Sequence, residues 1–407
     1  VKKWQWVVTI VFTIFVVQGI VHTNTVHGDE ESEGGMEVKF HQTYETTLEG
    51  KVIPDPLPRF AYDSGLNFEY PDAVRGIYVT AHSAGGSRFD TLINYVNDTA
   101  LNSMVIDVKD DDGLIAYDVD DDVAHAEYSR NFISDPRAML ERLEEEEIYP
   151  IARLVVFKDT NLAMDRPEWS FTRDGDVWVN GRNEAFVNPF VQDVWDYNIE
   201  IAKEAAELGF KEIQFDYVRF PEGFENLDEE LDYTRGDYDD ASLDNVKERV
   251  RAVTEFVAYA REELSEYDVD VSVDIFGYAA TIEEAPGIGQ NFAQIADNVD
   301  VISSMIYPSH WTPYFDIPEP DREPYNLVDE YAQVENDLLD QLDEKPVSRP
   351  WLQDFTANWL YSSGQAFVYG PEQVEAQIQA LYDNGIYEYL LWAPQNSYTE
   401  GVNYDPQ

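Results

Sequence analysis

The sequence predicts a parallel (β/α)8 barrel, on three observations. From residue 71 onward, short Val/Ile-rich stretches alternate with helical patterns about eight times, the order that wraps helices around a parallel sheet. A chain of 407 residues holds one such barrel, roughly 250 residues or more, together with extensions, so a second large domain is not required. The competing architecture is a doubly wound open sheet. Its nucleotide-binding form needs a G-x-G-x-x-G turn after the first strand, and none follows here.

Residues 1–28 begin with Lys2 and Lys3, run apolar from Val7 to Val17, and reach small or polar residues at Thr23 to Gly28. This is the layout of a secretory signal, with Val26 and Gly28 at the cleavage-site positions. Extended to Val21, the same run is long enough to serve as an uncleaved membrane anchor. Either way the rest of the chain is expected outside the cell, secreted or held at the outer face of the membrane. Without cysteine it is not a lipoprotein. Residues 29–70 are acidic and carry Pro54, Pro56 and Pro58, spaced too closely for helix or central strand, which predicts a linker.

The barrel is then expected over residues 71–407. Arg75 to Thr80 reads as its first strand and Ser103 to Lys109 as its second, with a helix from Arg88 to Asn97 between them. A helix from Pro136 to Glu147 leads to the third strand, Ile151 to Phe157. A long excursion containing Trp169 and Trp178 precedes the helix Val191 to Leu208, and Glu212 to Tyr217 is the fourth strand. Beyond an acidic loop and a helix from Leu243 to Leu264, strands are expected at Val269 to Ile275, Val301 to Tyr307, Val347 to Leu352 and Tyr387 to Trp392. Helical patterns at Asn291 to Asp297, Leu327 to Leu342 and Glu372 to Asn384 separate them.

Composition removes several classes of function. Eighty-one acidic residues against 27 basic ones give a formal charge of −54, which repels nucleic-acid phosphates and anionic membrane surfaces. Nucleic acid is excluded as a partner, and the membrane enters only through the N-terminal anchor. The acids are dispersed, as in Asp110-Asp111-Asp112 and Asp228-Glu229-Glu230, and are expected to form a solvated surface suited to a saline or alkaline setting. With no cysteine there is no disulfide framework, thiol catalysis or Cys-based metal site. Asp118, Asp120 and Asp122 have calcium-loop spacing but lack the sixth-position glycine and closing glutamate. His82 and His310 are the only histidines near strand ends, with no H-x-H or H-E-x-x-H, so no metal and no cofactor are expected.

Polar residues recur at the carboxyl ends of the expected strands, the face of a barrel where chemistry collects. Alternation turns Asp107, Asp216 and Asp274 inward, because Ile106 with Val108, Ile213 with Phe215, and Val271 with Val273 form the outward apolar sets. Two carboxylates flanking a bond are what glycoside hydrolysis needs, one to attack or stabilise positive charge and one to protonate the leaving oxygen. Asp216, with Arg219 nearby as its cation, is the expected ionised member, and Asp274 on the next strand its partner. Neighbouring strands lie about 4.8 Å apart, which suits the roughly 5–5.5 Å of a retaining pair. Tyr78, Asp107, Lys109, Arg219, Tyr307, His310, Gln353 and Trp392 are expected to bind substrate. Trp169, Trp178, Trp311, Trp351 and Trp359 supply rings for sugar faces. Against these stand plainer readings: any one tryptophan as core, Asp107 paired with Lys109, and Asp216 merely paired with Arg219.

The run Glu212-Ile213-Gln214-Phe215-Asp216-Tyr217-Val218-Arg219-Phe220-Pro221, with Arg75-Gly76-Ile77-Tyr78-Val79-Thr80, Asp107-Val108-Lys109-Asp110, Ala152-Arg153-Leu154-Val155-Val156-Phe157-Lys158-Asp159 and Leu391-Trp392, resembles a domain family described as "putative glycosyl hydrolase". The likeness covers roughly Tyr70 to Tyr404. The resemblance implies a branch of the barrel glycosidases whose nucleophile sits on the fourth strand, which puts that role on Asp216. Related families carry the acid/base on the fifth or sixth strand. The sixth ends here in Tyr307-Pro308-Ser309-His310 without an acid, which favours Asp274. The expected function is an extracellular glycosidase acting on a polysaccharide, such as a cell-envelope or exopolymer glycan. The rival is a non-catalytic barrel that binds wall glycan. Hydrolysis of an acyl-modified glycan is disfavoured because there is no G-x-S-x-G elbow.

Overall fold

Alternation along each strand builds the wall of the molecule. β1 (Arg75–Val79), β2 (Ser103–Lys109), β3 (Tyr149–Val155), β4 (Glu212–Asp216), β5 (Asp270–Phe276), β6 (Val301–Met305), β7 (Trp351–Gln353) and β8 (Tyr389–Trp392) pair in parallel, each with its neighbour in the chain. The ring closes where Trp351 of β7 pairs with Met305 and with Leu390, and where β8 pairs with β1. It is a (β/α)8 barrel. This computed structural model describes residues 62–119, 123–239, 242–361 and 366–406. The signal or anchor, most of the linker, and Asp120 and Asp122 lie outside the described residues.

Among the described residues each of the first seven strands is followed by a helix that packs on the barrel: α1 (Arg88–Asn97), α2 (Pro136–Glu145), α3 (Gln192–Leu208), α4 (Asn245–Glu263), α5 (Phe292–Ala296), α6 (Pro324–Leu339) and α7 (Pro371–Asp383), with short extra helices at Ala81–Ala84 and Thr160–Asp165. Each offers an apolar stripe to the outward residues of the strands. In α1 the stripe is Phe89, Leu92, Ile93 and Val96, the i, i+3, i+4, i+7 set. Asp135 caps α2 by accepting from the Ala138 N–H, with Pro136 in the first turn, and Asp244 caps α4 in the same way. α3 stops at Gly209, whose φ of 118° suits glycine; a Cβ there would stand 2.6 Å from Leu66 Cδ1. Among the described residues no helix is long and apolar enough to cross a membrane.

The inward residues fill the barrel in layers, with an ionic floor. Arg349 Nη1 donates to both Glu212 oxygens at 2.7 Å, its Nε to Glu388 at 2.8 Å, and its Nη2 to the Tyr70 hydroxyl at 2.7 Å. Residues 62–70, at the end of the stretch read as linker, therefore pack on the floor of the barrel: Leu66 is buried and Tyr62 bridges to Tyr267. Arg349 also explains a difference from the sequence reading. Val347 to Leu352 is not one strand. Val347–Ser348 pairs with β6, then Arg349 turns inward and Pro350, lacking an N–H, cannot continue the ladder.

Above the floor, Gly76 lets β1 approach β8 closely. A Cβ there would stand 2.7 Å from Leu390 Cδ2 and 3.3 Å from Ser103 Cβ. Gly76→Ala is expected to cost about 1–3 kcal/mol by overpacking, read as a lower urea midpoint with an unchanged m value.

Candidate active site at the carboxyl ends of the strands

A cavity of about 570 Å³ opens at the carboxyl ends of the strands, lined by Arg153, Asp216, Asp274, Tyr307, Trp351 and Trp392 from the barrel and by Asp111, Arg219, His310 and Trp311 from the loops. Its centre is Arg153, which is 1% exposed. The position follows from alternation, since Tyr149, Ile151 and Arg153 all face inward. A buried guanidinium requires partners, and three carboxylates surround it. Nη1 donates to Asp107 Oδ1 at 2.7 Å, Nε and Nη2 donate to Asp216 Oδ2 at 2.9 and 2.6 Å, and Nη2 also reaches Asp111 Oδ1 at 2.9 Å. The Tyr78 and Trp392 rings lie 5.5 and 5.3 Å from its central carbon.

The fourth strand ends in a backbone device. Tyr217 adopts φ 52°, a left-handed conformation that costs a bulky residue about 1–2 kcal/mol. That turn brings its N–H onto Asp216 Oδ1 at 2.6 Å. Asp216 is thereby held through both oxygens, as the carboxylate of an ion pair with Arg153. Asp274 is one step beyond the last paired residues of β4 and β5, Phe215 and Val273, as is Asp216 on its own strand.

The environments of the acids differ. Asp274 is 2% exposed and has no ion-pair partner among the described residues; its one donor is Trp351 Nε1, at 2.7 Å from Oδ1. Burial first, and the charge of Asp216 second, push it well above the usual carboxylate range. Both effects favour its protonated form. Asp107, also buried, is pushed up to about 6 despite Arg153 and the Tyr78 hydroxyl, which donates to it at 2.6 Å. Burial acts on Asp111 too, but Arg153 and Lys158 outweigh it and leave that carboxyl below its ordinary value.

Of the residues expected from sequence, Asp216, Asp274, Arg219, Tyr307, His310 and Trp392 line the cavity. Tyr78 and Asp107 do not line it and stand behind Arg153. Two expected substrate ligands are elsewhere. Lys109 is fully buried outside the barrel, 2.7 Å from Asp159 and 3.0 Å from Asn198, because a bulge between Asp107 and Lys109 breaks the alternation. Gln353 is buried as a strut, accepting from the Ser309 N–H and donating to Asp321 and the Phe355 carbonyl. The cation beside Asp216 is Arg153 rather than Arg219. Arg219 donates to the Phe220 carbonyl and, at 3.4 Å, to Glu222, and stacks on Tyr217 and Phe276. Lys109 does not pair with Asp107, and the acidic runs are not wholly solvated: Asp111 faces the cavity, and Asp228 is buried between Arg235 and Arg249. Sequence reasoning missed Arg153 as a site residue. Its signal was a charge at an inward position of an otherwise apolar strand.

Two consequences are measurable. Arg153→Met removes the cation from three carboxylates and is expected to cost about 3 kcal/mol or more. The cost should be larger at pH 8 than at pH 5, where protonation of the orphaned acids relieves it; a chemical denaturation series at both values checks this. Trp351→Phe removes the donor that favours ionised Asp274, so the alkaline limb of any activity that depends on its proton should move to higher pH.

Residues 76–398 match the family described as "Putative glycosyl hydrolase domain". No curated protein matches the chain. Among solved structures, a hypothetical protein from Ruminiclostridium thermocellum ATCC 27405 is 33% identical over 49% of this chain and 96% of its own, with a TM-score of 0.42. The PgaB (BpsB) glycoside hydrolase domain from Bordetella bronchiseptica is 15% identical over 79% of this chain and 94% of its own, with a TM-score of 0.56. The spore cortex-lytic enzyme SleL of Bacillus cereus is 11% identical over 80% and 72%, with a TM-score of 0.47. The likeness to PgaB speaks for the fold alone.

Proposed function

This chain belongs to the glycosyl hydrolase domain family that residues 76–398 match, and from that membership we propose that the barrel mouth cleaves a glycosidic bond of a polysaccharide, with Asp216 and Asp274 as its two carboxylates. The observation that carries the reading is the contrast between their surroundings. Asp216 is paired with Arg153, while Asp274 is buried without an ion-pair partner among the described residues, and burial together with the charge of Asp216 raises its pKa. Surroundings that differ in this way suit one acid to donate to the leaving oxygen while the other meets the charge developing at the anomeric carbon. Arg153 and the Tyr217 N–H orient Asp216, and Trp351 orients Asp274. Trp311 and Trp392 on the cavity wall offer rings to sugar faces.

Placement of the two acids at corresponding steps of adjacent strands supports the short separation of a retaining pair, which needs no cofactor. The pattern of residues 1–28 supports action outside the cell, on an envelope or exopolymer glycan. Release of reducing ends from a panel of such polysaccharides, with the product's anomeric configuration read by proton NMR, tests the proposal. Release with retained configuration is the expected result. A glycan bound tightly without any new reducing end would leave the barrel as a carbohydrate-binding module.

A further inference from the structure

Beside the mouth, where the loop after β3 meets the loop after β4, lies a second cavity of about 230 Å³. It shares Arg182, Tyr217, Arg219 and Glu222 with the main one, so a sugar chain held between Asp216 and Asp274 has a continuous path into it. Trp178 forms part of its wall.

Its cations are not used up by the protein. Arg182 stands on a turn in which Asn180 Oδ1 accepts the backbone N–H of both Arg182 and Glu184, at 2.8 and 3.1 Å. Glu184 is engaged elsewhere, by Lys158 at 2.9 Å and Asn180 at 2.7 Å. The exposed Arg182 guanidinium makes no ion pair within 4 Å and no hydrogen bond among the described residues; its charge helps lower the Glu184 carboxyl without contact. Arg219, 5% exposed, spends one donor on the Phe220 carbonyl and one on a long 3.4 Å contact to Glu222, whose side chain is largely exposed. Its Nε has no acceptor among the described residues. In a chain with 81 acidic residues to 27 basic ones, carboxylate partners are abundant, so a free arginine beside a second, half-satisfied one points to an anion supplied from outside. A guanidinium pairs bidentately with a carboxylate or a sulfate ester. The negative surface opposes anion capture at a distance, but it is screened beyond about 8 Å at 0.15 M salt, and discrimination then falls to groups in contact.

We propose that this cavity is a subsite for an anionic sugar unit, read by Arg182 and Arg219 beside Trp178, and that the substrate is therefore an acidic glycan; the substrate assignment rests on the glycosidase reading above. The test uses the Asp216→Asn protein, titrated calorimetrically with hexasaccharides of galacturonate, charged only by carboxylates, and of κ-carrageenan, charged only by sulfate esters, and with their carboxyl-reduced and desulfated counterparts. At least one acidic probe should bind about 10-fold more tightly than its neutral form, which of the two distinguishing carboxylate from sulfate. Arg182→Ala in the same background should remove most of that difference, and Arg182→Lys should return part of it. Equal binding of acidic and neutral forms, no binding of any acidic probe, or a preference that survives Arg182→Ala overturns the subsite. Cleavage of neutral glycans without acidic preference also overturns it and leaves the glycosidase reading standing. Arg182-dependent acidic preference in a wild-type protein that cleaves no glycan supports the subsite and overturns glycosidase action instead.

Discussion

Asp216→Asn is expected to lower kcat by about 10⁴-fold with KM little changed, because the substitution keeps the shape of the side chain and removes the charge that meets the anomeric carbon. The fold should survive. Arg153 retains Asp107 and Asp111 as partners, so the single amide oxygen can be kept on the guanidinium, with the NH2 turned to the Tyr217 N–H at a cost of about 1–3 kcal/mol. Reducing-end release, followed on whichever glycan the wild type cleaves, gives the rate, and circular dichroism confirms the fold. A variant as fast as the wild type would remove Asp216 from the chemistry and leave its bond to Arg153 as a purely structural ion pair.

Asp274→Asn is expected to lower kcat by about 10³-fold, the range of a lost general acid, while making the protein more stable at neutral and alkaline pH. The sign follows from linkage. Burial and Asp216 raise the Asp274 pKa in the native state, so between its ordinary value and the raised one the native state binds more protons than the unfolded state. Its contribution to stability is full below the ordinary value and is lost as pH rises through the raised one. Asparagine cannot ionise, and it preserves an acceptor for Trp351 Nε1. The melting temperature of the variant relative to wild type should therefore increase from pH 5 to pH 9. An aryl glycoside with an acidic phenol as leaving group needs little protonation and should recover much of the lost rate. Loss of activity that such a substrate does not rescue, together with a lower melting temperature at every pH, would mark Asp274 as a packing residue.

The fold was legible because the barrel repeats one local rule. Apolar residues in β1 to β8 and the stripes of the helices recur with periods that the backbone imposes, and apart from the start of β7 the strand ends observed lie within about two residues of those read from the pattern. The inward direction of Asp107, Asp216 and Asp274 followed from the same alternation. It failed where the backbone departs from regularity: the bulge after Asp107 sent Lys109 outward, and Pro350 split the seventh strand. Arg219 looked like the partner of Asp216 because it is three residues away in sequence. Arg153, which is 63 residues away, is the partner in space.

From the chain alone came the order of strands and helices, the face on which the acids gather, and a net charge hostile to phosphate polymers, all set by periodicity and composition, which need no knowledge of distant contacts. Folding decided who pairs with whom. That Arg153 joins aspartates of both neighbouring strands follows from strand pairing between residues far apart in the sequence, and that Asp274 is left with only an indole donor from β7 follows from the inward packing of the barrel, which shuts out the water that would otherwise solvate these carboxylates alike.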